Sequence, residues 1–72
     1  MNEETFSFVI YMLHACAHAW GRSPADVYHA LTRAGCIQDY LVPLYDVLHT
    51  MDTRAEVADI EEYLWQTEPE LF

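Results

Sequence analysis

The segment from Glu3 to Trp20, EETFSFVIYMLHACAHAW, contains neither glycine nor proline and ends against Gly21. Glu3 and Glu4 lie where negative charge suits the positive end of a helix, and Gly21 is a natural stop. The sequence therefore predicts one helix over Glu3–Trp20, and that helix constrains the rest because it is apolar on two sides. At about 100° per residue, Phe6, Val9, Ile10, Leu13, Cys16, Ala17 and Trp20 form a broad face, which is expected to meet the core. Phe8, Met12, Ala15 and Ala19 recur at i, i+4, i+7 and i+11 on another side. A helix that is hydrophobic nearly all round is central and wrapped by its neighbours, or else it turns its second strip to another chain.

Within this helix the stretch HACAH sets two histidines four residues apart, as a metal site would. The wheel separates them from the cysteine: His14 and His18 share a flank with Ser7 and Tyr11, while Cys16 lies about half a turn from His14 and belongs to the apolar face. Structural zinc takes four protein ligands. The pair is therefore a two-ligand fragment that would need two more groups, with His29, His49 or a carboxylate as the candidates. The expectation is no metal and no cofactor, with the histidines forming a polar flank.

Punctuation divides the remainder. Ser23 and Pro24 are a capping residue and a first helical position, and Gly35 is the stop. Between them Val27, Ala30, Leu31 and Ala34 make one apolar stripe. In YLVPLYDVLHT, the residues Leu41, Leu44, Tyr45 and Leu48 have the spacing of a buried face. Pro43 belongs in a first turn, so this helix is expected to begin near Val42 after an irregular turn at 38–41. Thr53 with Glu56 reads as a capping box for a fourth helix, with Val57, Ile60 and Leu64 inward and Glu56, Asp59 and Glu62 outward. Pro69 ends any helix, so a tail at about 67–72 is expected to fray. The predicted fold is all-α, a small bundle of three to four short helices forming a single domain over 1–72.

The chain holds 12 Asp and Glu against 3 basic residues, a formal net charge of −9, and 53 % of its residues are hydrophobic. That apolar fraction is too high for a disordered chain. The charge opposes direct binding to nucleic acid or to an anionic membrane surface, and it favours a basic protein partner or simply solubility, the commoner reading for a small acidic protein. The acidic N-terminus lacks the positive flank of a signal peptide, and Cys16 and Cys36 make no disulfide framework, so a cytoplasmic protein is expected. No phosphate loop, nucleophile elbow or HExxH is present. Asp46 and His49, at i and i+3, read as a local surface pair. An enzyme is not expected.

The run SFVIYMLHACAHAWGRSPADVYHALTRAGCIQDYLVPLYDVLHTM resembles a family of short bacterial proteins classed only as a domain of unknown function, most specifically in YLVPLYDVLHT. The resemblance covers roughly 4–64. It implies companionship with a second small protein similar to ADP-ribosyltransferases and often encoded beside it, in the manner of an antitoxin and its toxin. It supplies no catalytic residues.

The expected function is a non-enzymatic protein-interaction module, an antitoxin-like partner of an ADP-ribosyltransferase-like toxin. Its expected interface joins Phe8, Tyr11, Met12, Ala15 and Ala19 to Glu56, Asp59 and Glu62. The alternatives are a homodimer paired through the second strip of the first helix, and an acidic mimic of nucleic acid that competes for a basic groove.

Overall fold

The computed structural model describes residues 1–72 and contains helices only. They are α1 (Glu3–Trp20), α2 (Pro24–Ala34), a π-helical turn (Ile37–Leu41), α3 (Tyr45–Leu48), α4 (Thr53–Leu64) and a 3₁₀ turn (Pro69–Leu71). The small all-α bundle expected from the sequence is the observed fold. α1 is its spine and packs against both α2 and α4.

Local chemistry explains the boundaries. Asn2 caps α1, its side chain accepting from the Thr5 N–H at 2.8 Å. Ser23 caps α2 by accepting from the Asp26 N–H, with Pro24 in the first turn. Gly21 and Gly35 close the two helices at φ 65° and 74°, a left-handed conformation that costs a residue with a Cβ about 1–2 kcal/mol. The cap of α4 differs from the expected one. Asp52 accepts from the Arg54 N–H, while Thr53 is the first helical residue and bonds the Tyr11 hydroxyl instead. The capping box is not formed.

Pro43 shapes the middle of the chain. It has no N–H to offer the Asp39 carbonyl, so the ordinary i−4 ladder cannot continue through it. The backbone widens one turn earlier, with the Val42 N–H reaching the Ile37 carbonyl at 3.0 Å. The third helix thus starts at Tyr45 rather than near Val42 and is four residues long. Leu44 becomes its cap residue and is exposed, against the expectation of burial, while Leu41 and Leu48 are buried as expected.

Fifteen buried side chains form one core, among them Met12, Leu13, Cys16, Val27, Leu31, Leu41, Ile60 and Leu64. The tail, expected to fray, is packed against the bundle. Leu71 and Glu68 are buried. Glu68 accepts from the Arg33 guanidinium, through Nε at 3.0 Å and again through the terminal nitrogen. Arg22 donates to the carbonyls of Leu71 and Glu70 at 3.1 and 2.8 Å. Phe72 meets the edge of Trp20 at 4.8 Å and lies 5.6 Å from Trp65. α4 has already stopped at Leu64, so Pro69 ends no helix; it opens a 3₁₀ turn, and buried contacts hold that turn in place.

Candidate functional site

The buried arc of α1 is rotated from the expected one. It runs through Thr5, Val9, Met12, Leu13, Cys16 and Ala17. One flank of the expected core face, Phe6 and Ile10, therefore lies outside the protein, and the spare strip contributes Met12 to the core. The cause is the position of α1 between two neighbours. A helix packed on α2 and α4 together centres its buried arc between them rather than on its widest apolar stripe.

The expected interface is split by this rotation. Met12 and Glu56 are each 1 % exposed and belong to the interior. Phe8 and Ala15 are partly buried against the core, Phe8 meeting the edge of Tyr45 at 5.5 Å. Tyr11, Ala19, Asp59 and Glu62 remain exposed. Glu56 was expected to face outward with Asp59 and Glu62. It turns inward instead, where the Tyr40 hydroxyl donates to its Oε1 at 3.3 Å.

Two of the concavities beside α1 bear on the candidate site. The first lies between α1, α2 and the π-helical turn, holds about 240 Å³, and is lined mainly by apolar side chains. Phe6, Tyr28 and Ile10 stand around it at 56, 47 and 37 % exposure, with Val9, Leu13 and Ile37 behind them. Sequence reasoning missed this surface. Phe6 and Ile10 belong to the face expected to meet the core, and Tyr28 falls in none of the apolar stripes that the sequence offers. The available signal was the width of the apolar arc of α1, too broad for a bundle of four short helices to cover.

The second concavity lies between α1, α3 and α4 and holds about 320 Å³. Phe8, Tyr11 and Tyr45 line it together with Met12, Leu48 and Glu56. The Tyr11 hydroxyl and Thr53 Oγ1 lie 2.6 Å apart, tying α1 to the start of α4. Burial raises the Glu56 carboxyl above its ordinary value; the Tyr40 hydrogen bond opposes this and Asp59 adds to it. Glu56 Oε2 is buried with no hydrogen-bond partner.

The histidines and the cysteine of HACAH lie on different sides of α1. His14 and His18 are exposed on the polar flank while Cys16 is buried, as the wheel predicted. No group of three or more His, Cys, Asp or Glu side chains is arranged to hold a metal ion. Burial pushes the Cys16 and Cys36 thiols up to about 12, so both are protonated near neutral pH and neither is an activated nucleophile. His49 stacks on the Tyr45 ring at 4.4 Å and its Nδ1 lies 2.7 Å from the Tyr45 carbonyl. That engagement stands where a pair with Asp46 was expected. No helix is long and apolar enough to cross a membrane.

Among known proteins, a family described as a protein of unknown function (DUF3791) matches residues 7–66. No curated protein matches the chain significantly, and no solved structure does.

Proposed function

The chain belongs to this family of unknown function, and from that premise we propose that it is a non-enzymatic protein-interaction module, an antitoxin-like partner of an ADP-ribosyltransferase-like toxin. The observation that carries the reading is the apolar groove beside α1. Phe6, Ile10 and Tyr28 are large apolar side chains, exposed together around one concavity. A contiguous patch of this kind marks an interaction surface more often than scattered apolar residues do, and aromatic anchors dominate interface energetics. The partner is a different, basic chain rather than a second copy, because each copy carries −9 and like-charged surfaces oppose their own association. The docking surface is thus the Phe6, Ile10 and Tyr28 side of α1, with the exposed acids Asp59 and Glu62 contributing steering from α4.

The test is co-expression with an ADP-ribosyltransferase-like protein, followed by the mass of the purified complex from light scattering. Phe6→Asp should abolish the complex and leave thermal stability near that of the unsubstituted protein, because the position is exposed. Met12→Asp should unfold the domain instead, because it places a charge in the core. A complex that survives Phe6→Asp and Tyr28→Asp together would refute the groove as the docking surface. A stable dimer of the chain alone, lost on Phe6→Asp, would give the surface to a second copy.

A further inference from the structure

The cleft between α1, α3 and α4 has no part in that reading, and its lining has a chemical character of its own. Phe8, Tyr11 and Tyr45 supply aromatic surface, while Glu4 and Glu56 supply carboxylates. No arginine and no lysine lines it, and its one histidine, His49, is engaged with the ring and carbonyl of Tyr45. Glu56 is 1 % exposed, and its Oε2 has no hydrogen-bond partner within the chain. A buried carboxylate oxygen without a donor is costly, and almost all such groups in folded proteins are satisfied. The one buried carboxylate oxygen of the chain without a hydrogen-bond partner thus belongs to a residue lining a cleft with aromatic walls.

We infer that this cleft receives an arginine side chain presented by a basic protein partner, with the guanidinium bonded to Glu56 and lying against the aromatic side chains. A guanidinium is planar and weakly hydrated, and it stacks on aromatic faces while donating several hydrogen bonds. It gains from a buried carboxylate through a charge-assisted hydrogen bond and from the rings through cation–π attraction. An ammonium group is more strongly hydrated and lacks the flat face, so lysine is the weaker occupant. The net charge of −9 draws a basic chain toward either side of α1. The inference rests on the interaction-module reading only for the source of the arginine. The guanidinium site itself is separate from the apolar groove.

The probe is N-acetyl-arginine-N-methylamide, titrated into ¹⁵N-labelled protein and followed by amide chemical shifts. The lysine and norleucine analogues are titrated in parallel. The expected result is saturable shifts confined to the cleft, on Phe8, Tyr11, Tyr45 and the first turn of α4, weaker with lysine and absent with norleucine. Glu56→Gln keeps the shape of the side chain and should weaken arginine binding by about tenfold or more, the scale of one hydrogen bond to a charged group. Tyr45→Leu keeps the carboxylate and removes a ring, and it should weaken binding as well. Each variant is first checked for a native-like amide spectrum away from the cleft. Shifts spread evenly over the acidic surface would overturn the inference, as would binding undiminished in Glu56→Gln. Phe6→Asp separates the two proposals: it should leave the arginine titration unchanged even where it abolishes the complex with the larger partner. Intact partner binding without arginine binding would therefore sink the cleft and spare the groove.

Discussion

Glu56 is the residue at which charge and burial conflict most sharply. Its carboxyl is held above the ordinary carboxylate value, first by burial. A group whose folded value exceeds its unfolded value adds stability that is complete below the unfolded value and is lost as pH rises through the folded one. Glutamine at the same position does not titrate. Glu56→Gln should therefore gain stability relative to the unsubstituted protein as pH rises, with a larger difference in urea midpoint at about pH 8 than at about pH 5. An equal difference at both values would mean that the carboxyl titrates normally in the fold. Met12 shows the opposite character. It is buried and uncharged, and truncation to alanine should cost about 2–5 kcal/mol through lost contacts and the cavity left behind, read from the same urea midpoints.

At the level of elements, the two glycines that end α1 and α2 share a backbone conformation but differ in surroundings. A Cβ on Gly21 would meet nothing within 4 Å, whereas one on Gly35 would come to 2.8 Å of Asp39 Oδ2. Both alanine substitutions carry the left-handed penalty of about 1–2 kcal/mol. Gly35→Ala should be the more damaging of the two, because Asp39 must also move, and thermal melts of the pair would check this. These caps were legible in the sequence because they depend on single residues and their immediate neighbours. Ser23, Pro24, Gly21 and Gly35 all sit where local chemistry put them. The rotation of α1 was not legible, because it depends on where α2 and α4 lie, which no periodicity within α1 contains. The same limit hid the inward turn of Glu56, whose hydroxyl partner, Tyr40, comes from the π-helical turn that Pro43 imposes. Of the proposed site, Phe6 and Ile10 are legible as apolar positions but belong to the face expected to meet the core, and Tyr28 falls in none of the apolar stripes that the sequence offers.

For the whole molecule, the last turn acts as a clasp. Arg22 and Arg33 reach it from α1–α2 and from α2, and two of the three basic residues of the chain are spent there. Glu68 is buried and takes its hydrogen bonds from Arg33, so Arg33→Ala leaves a buried carboxylate unpaired and should release the turn and lower the melting temperature. Arg33→Lys should restore part of the loss, since a point charge replaces a fork of donors. The clasp also has an optical consequence. The chain has two tryptophans, Trp20 and Trp65, and both rings lie beside Phe72. Its intrinsic emission therefore reports on the final residue as well as on the edge of the core, where Trp20 packs. In a protein whose clasp opens before its helices melt, the fluorescence transition would come first and the circular-dichroism transition would follow.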